Sequence, residues 1–223
     1  MINDLKLGHK VIKYGLNLRG NLIVVILFLI LGCVMEFMIP DMIFGGMYVA
    51  LGSMMIVQLI HSVAVSGMVQ SSPYKKKLQT SVPTMIGGGY LFIANTLIIV
   101  LKIVGMYVKS GGTEWATAGV SNAILLSGIM MIILVVYMST ALKLFWLATI
   151  VFFILFFSYN IFSEKFLAMM GAEATMILPI ELSILVSYLV VLLGSIIMYL
   201  VFLATYKLDY SKITWEGALK RAK

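Results

Sequence analysis

The sequence predicts an all-α integral membrane protein with six transmembrane helices and both termini in the cytoplasm. Three observations carry this. Hydrophobic residues make up 62% of the 223-residue chain and charged residues only 11%, with a mean hydropathy of +1.08. A soluble domain lies nearer about half apolar and a quarter charged, and a chain of this length in water could not bury so much apolar surface. The apolar residues fall into six runs, over about 21–39, 42–67, 84–108, 118–138, 144–162 and 180–204. Each is close to the roughly 20 residues that cross about 30 Å of hydrocarbon. Finally, all but three of the 16 Lys and Arg residues fall in the first, third, fifth and last of the intervening segments. The exceptions are Lys102, Lys109 and Lys165. By the positive-inside rule both ends are cytoplasmic, which accounts for the net charge of +7 without a nucleic-acid partner.

In chain order, residues 1–20 form the first unit. Lys6, Lys10, Lys13 and Asn17 recur at intervals of four, three and four, and Leu5, Ile12 and Leu16 share another face. This predicts an amphipathic helix from Asp4 to Arg19 in the headgroup layer, lysines toward anionic lipid. Gly20-Asn21 then permits a break. Residues 21–204 form the six-span domain. The first run is too long for a signal-peptide core and no small-residue cleavage pattern follows it. Residues 205–223 form a basic cytoplasmic tail, with Thr214 as a candidate N-cap of a short last helix. It serves as a plain anchor or as a docking element. Acidic residues lean to the outer side: Glu36, Asp41, Glu114, Glu164, Glu173 and Glu181.

Catalytic signatures are missing. No GxxxxGK[ST] phosphate loop occurs, and Gly87-Gly88-Gly89 opens an apolar run, where glycines let helices approach. His9 and His61 are the only histidines, so there is no HExxH, and no GxSxG occurs. The lone Cys33 offers neither an intrachain disulfide nor a metal cluster. The sequence therefore predicts no enzyme, no metal and no cofactor bound by this chain.

Polar residues within the apolar runs are few. Glu36, Lys102 and Glu181 fall at similar depth near the outer face. Either each snorkels to the headgroups, or Lys102 pairs with Glu36 or Glu181, or lines an outer vestibule, because a lone lysine two turns deep is costly. In the second span Gln58, Ser62 and Ser66 repeat every four residues beside His61. They serve as a helix-pairing stripe or as a substrate path.

The loop SSPYKKKLQTSVPT, Ser71 to Thr84, separates spans two and three on the cytoplasmic side. Ser72 could cap a helix with Pro73 in its first position. Tyr74 to Thr80 would make about two turns, ended by Pro83. Tyr74 and Leu78, four apart, would share a face that could dock in a partner's groove. The simpler alternative is a basic turn that serves topology alone.

With its N-terminal amphipathic helix, its six spans, its Ser-Ser-Pro-Tyr-Lys-Lys-Lys-Leu loop after span two and its semi-amphipathic outer segment Ser163 to Leu178, the chain resembles the permease subunit of a type-2 ABC exporter. The resemblance covers nearly the whole chain as architecture. It implies a short coupling helix made of Pro73, Tyr74, Lys75, Lys76, Lys77 and Leu78, seated in a cleft of a separate ABC ATPase that binds ATP and Mg. It implies pairing with a second copy or a sister permease, in a bacterial plasma membrane. Small permeases of this kind export amphipathic peptides such as phenol-soluble modulins and lantibiotics, others drugs or lipid-like substrates, and the acidic outer residues suit a cationic peptide. Two other classes remain open: a channel or ion-coupled carrier with Gln58, His61 and Lys102 along a pore, and a membrane scaffold that transports nothing.

Overall fold

The computed structural model describes residues 2–15, 18–41, 43–65, 67–169, 176–214 and 216, without the side chains of residues 2, 3, 44, 67, 68 and 160–169. Among these it is all-α. The helices are α1 (Ile2–Lys13), α2 (Leu18–Met38), α3 (Phe44–Ala64), α4 (Gly67–Gln70), α5 (Lys75–Gln79), α6 (Ser81–Ser110), α7 (Glu114–Ala141), α8 (Phe145–Met169) and α9 (Ile180–Thr205). Five of them, α2, α3, α6, α7 and α9, are long and apolar enough to cross a membrane. In α8 the described apolar stretch is shorter, Phe145–Tyr159.

α7 is the central helix. It packs against α3, α6, α8 and α9, and its buried residues cover every side of it. Its small residues explain why neighbours come close. A Cβ added at Gly128 would stand 3.0 Å from Ser187 Oγ on α9. On α9 the buried face is Ser183, Ser187, Val191, Gly194, Met198, Phe202 and Thr205, a seam spaced at fours and threes. Apolar surroundings supply no hydrophobic force between such helices, so small residues and interhelical hydrogen bonds hold them. Ser121 donates to Ser183 Oγ (2.8 Å) or Leu178 O (2.7 Å), and Ser187 donates to Asn95 Oδ1 on α6 (3.2 Å). The apolar core between α3, α6, α7 and α9 includes Val57, Leu91, Ile98, Met131 and Met198.

α2 and α3 form a hairpin. Its closeness comes from Gly32, whose added Cβ would stand 2.6 Å from Val49 Cγ2 and 2.9 Å from Gly45 O. α2 buries only Asn21, Val25, Gly32 and Glu36, one helical stripe, and leaves Ile23, Ile26, Ile30 and Val34 exposed. α8 and α9 expose similar faces. At 30 residues α6 is about 45 Å long, more than a bilayer core needs. Gly111 and Gly112, at φ 62° and 74°, close it in the left-handed region that glycine tolerates.

Several local expectations are corrected. The N-terminal helix ends at Lys13, and Gly20-Asn21 do not break the chain but lie inside α2; Leu16 and Asn17 lie outside the described residues. Gly15 sits against α3, where an added Cβ would stand 2.9 Å from Leu59 Cδ2. The inward face of α1 is Leu7, Gly8, Val11 and the expected Ile12, packed on α3 and α6, while Leu5 is exposed. The loop helix ends at Thr80 (φ −125°, ψ −81°), not at Pro83. Pro83 lies in the first turn of α6, where backbone N–H groups have no intrahelical partner and its missing one costs nothing. Residues 163–169 continue α8, so no separate segment starts at Ser163. Residues 170–175 and 217–223 lie outside the described residues. Ser211, not Thr214, caps the helical turn that follows, accepting from the Thr214 N–H at 3.3 Å.

Candidate functional site

The bundle has a basic end, where α1, α5, the α7–α8 turn and residues 206–211 converge, and an opposite end that includes the end of α2, the α6–α7 turn and residues 176–179. Sequence-predicted residues occur at both.

At the basic end, Ser72 Oγ accepts from the Tyr74 N–H (3.1 Å), and α5 starts one residue later. Pro73, Tyr74, Lys76 and Lys77 are exposed, Lys75 half-buried. Tyr74 retains 55% exposure. Leu78 is the correction: at 5% exposure it faces inward, packed with Val11, Ile60, Ala64 and Val82, and does not share an outer face with Tyr74. Tyr74 precedes the helix, so the four-residue spacing never acts. Lys77 pairs with Asp4 of α1 at 3.5 Å.

Beneath α5 lies a cluster the sequence did not disclose. Lys143, in the α7–α8 turn, donates to Gln79 Oε1 (3.3 Å) and to Leu208 O (2.6 Å), and its Nζ lies 3.5 Å from the centre of the Tyr210 ring. Burial, then the nearby charge of Lys75, pulls its pKa down to about 8, against the opposing effect of Asp209. The Ser211 N–H donates to Leu142 O at 3.1 Å, and Tyr210 OH meets His61 Nδ1 at 3.0 Å. One lysine thus ties α5, the α7–α8 turn and the tail together, and Tyr210 carries the chain of contacts on to α3. The only sequence signal was a lysine in a short turn, read there as topology.

Gln58, His61 and Ser62 fall on one wall of a cleft of about 260 Å³. Ser66 lies outside the described residues. Met54 extends that wall along α3, and the other walls are Tyr137, Met138 and Phe145, with Ile213 and Thr214 from the tail. His61 is 2% exposed, and its Nε2 has no hydrogen-bond partner among the described residues.

At the opposite end, Lys102 pairs with Glu36, and both side chains are fully buried. Lys102 Nζ also donates to Pro40 O at 3.0 Å, and Lys109, two turns on, donates to Met38 O. The two lysines of α6 therefore fasten the end of α2 and the turn after it. Gly45 makes room for the carboxylate: an added Cβ there would stand 2.3 Å from Glu36 Cγ. Gly105 brings α6 against α2, where an added Cβ would stand 3.0 Å from Phe37 O. Glu181 is exposed in the first turn of α9, apart from this pair. Of the predicted outer acids, Glu36 is thus enclosed, Asp41, Glu114 and Glu181 are exposed, and the side chains of Glu164 and Glu173 lie outside the described residues.

Among the described residues no group of His, Cys, Asp and Glu could hold a metal ion. No protein-family model matches the chain, and no curated protein or solved structure matches it.

Proposed function

We propose that this chain is the transmembrane subunit of an ATP-driven exporter of the type-2 ABC kind, with six crossings that include α8 and with both termini in the cytoplasm. It works as a pair with a second permease, identical or sister, and with a separate ATPase that binds the ATP and Mg. The observation that carries the reading is the construction of the loop at 71–79. Its outer side, Pro73, Tyr74, Lys76 and Lys77, is exposed and basic, while its inner side is fastened to the bundle by Leu78, by Gln79 on Lys143 and by Lys77 on Asp4. An element that receives a push from a partner needs both properties: a surface to grip and rigid attachment behind it.

In this mechanism ATP closes the partner ATPase pair and displaces α5. The displacement passes through Leu78 to α1, α3 and α6, and through Lys143 to the α7–α8 turn and the tail. The spans at the permease–permease contact shift, and an amphipathic substrate, a cationic peptide in the favoured case, leaves toward the outer face. Asp41, Glu114 and Glu181 would meet such a peptide there.

The test is purification from the native membrane in mild detergent, beside the Tyr74→Ala, Lys76→Glu double variant, whose changes are confined to the exposed side. A stoichiometric ATPase that co-purifies with the wild type and is lost from the variant supports the reading. A monodisperse wild-type preparation with no ATPase overturns it. The buried Glu36–Lys102 pair favours one second reading, an ion-coupled carrier, since charges inside a membrane bundle often mark ion paths. Ion-driven uptake in vesicles without ATP, abolished by Glu36→Gln, would support that alternative.

A further inference from the structure

The cleft at the basic end has features that helix packing does not require. Gln58, His61 and Ser62 come from successive turns of α3 and make one polar wall, facing side chains of α7 such as Tyr137 and Met138. His61 is held from behind: Tyr210, which is not part of the cleft lining, meets Nδ1 at 3.0 Å, and the Phe202 ring packs at 5.0 Å. The ring is therefore fixed in orientation, and the atom left over is Nε2, buried and without a partner. A buried polar atom left unpaired is costly, and natural interiors rarely tolerate it.

We propose that this cleft binds a small uncharged amphiphile, an aromatic or aliphatic body carrying one hydroxyl or amide, with that head on His61 Nε2. Three arguments fix the class. A hydroxyl or amide can donate to Nε2 or accept from Nε2–H, so it serves whichever tautomer Tyr210 selects. Among the described residues no Asp, Glu, Lys or Arg lines the cleft, so a charged ligand would be desolvated there without a counter-charge. The volume of about 260 Å³ exceeds the roughly 150 Å³ that takes a benzene, so a ring with a substituent or a second ring fits. A plain acyl chain of the surrounding lipid would leave Nε2 unpaired. The site does not depend on the exporter reading, because its ligand touches neither α5 nor any partner.

The test uses the full chain in phosphatidylcholine nanodiscs and a photoreactive phenol bearing a trifluoromethyl-diazirine, with the same diazirine lacking the hydroxyl as its control. After irradiation, labelled residues are mapped by mass spectrometry. The expected result is saturable labelling of Met54, Tyr137 or Met138 by the phenol, with half-saturation about tenfold weaker for the control, the worth of one buried hydrogen bond. Ala141→Phe, which fills the cleft, abolishes the saturable part, and His61→Leu, which removes the acceptor, weakens half-saturation by the phenol to that of the control. Labelling of Leu189 and Leu193 on the exposed face of α9 reports that each variant still folds. Labelling of cleft residues that rises linearly with probe, or that is equal for phenol and control, overturns the proposal, as does saturable labelling undiminished in Ala141→Phe.

Discussion

Replacing Lys102 with methionine removes one half of a fully buried ion pair. Glu36 is then left enclosed against Gly45 with no counter-charge, and Pro40 O loses a donor at 3.0 Å. Removing one partner of a buried pair costs about 3–5 kcal/mol, because the remaining charge stays desolvated. For a chain of this size that corresponds to a fall of about 6–20 °C in the unfolding midpoint, at about 2–4 °C per kcal/mol. Glu36→Gln costs less, since Lys102 keeps Pro40 O. The double variant recovers most of the loss, because a neutral pair of similar volume carries little desolvation penalty. The assay is thermal unfolding in detergent, followed by the loss of the monodisperse peak, for both single variants and the double variant. The cycle isolates the coupling between the two side chains. Losses below about 1 kcal/mol for both singles, or a double variant that falls by the full sum of the singles, would refute a dry, coupled pair and indicate water around Lys102.

Gly45→Ala is expected to be destabilising by about 1–3 kcal/mol through overpacking on Glu36, and the cost should shrink in a Glu36→Ala background, measured by the same unfolding assay. Leu78→Ala should cost about 2–5 kcal/mol, whereas Tyr74→Ala should stay within about 0.5 kcal/mol; the reverse order would contradict the inward placement of Leu78. Lys143 has a folded pKa near 8 against an ordinary 10.5, so the folded chain holds that proton less tightly than the unfolded one. Stability should therefore rise with pH across the window from about 8 to 10.5. Lys143→Met should flatten that rise, and equal pH profiles for the two proteins would contradict the shift.

The helices were legible because long apolar runs leave few alternatives to a spanning helix, and the predicted runs agree with the observed helices to within a few residues at most ends. The fifth run is the exception, since α8 continues to Met169. The deep lysine was legible as a problem in need of a partner, but not the choice of partner. Glu36 and Glu181 were equivalent by depth, and what separates them is the close approach of α2, α3 and α6 that Gly32, Gly45 and Gly105 permit. Leu78 was misplaced because nothing local shows which side of the loop helix meets α1, α3 and α6, where Leu78 packs. The Gln79–Lys143–Tyr210–His61 cluster joins residues from four parts of the chain, with no local pattern to announce it. Its separations, 64 residues from Gln79 to Lys143 and 149 from His61 to Tyr210, are set by packing alone.

The enclosure of α7 has a consequence for how the protein is made. Thr117, Ser127, Ser139 and Thr140 bond to backbone carbonyls three or four residues earlier, but two of its polar side chains pair with residues synthesised later: Ser121 with Ser183 and Leu178, Asn122 with the backbone of Ile177. A ribosome that has just completed α8 has therefore delivered a helix whose Ser121 hydroxyl and Asn122 amide still lack these partners, with Ile177, Leu178 and α9 yet to be added. Until α9 arrives, α7 has to be sheltered by insertion machinery or lipid. A nascent chain halted before Ile180 is the species most exposed to membrane quality control.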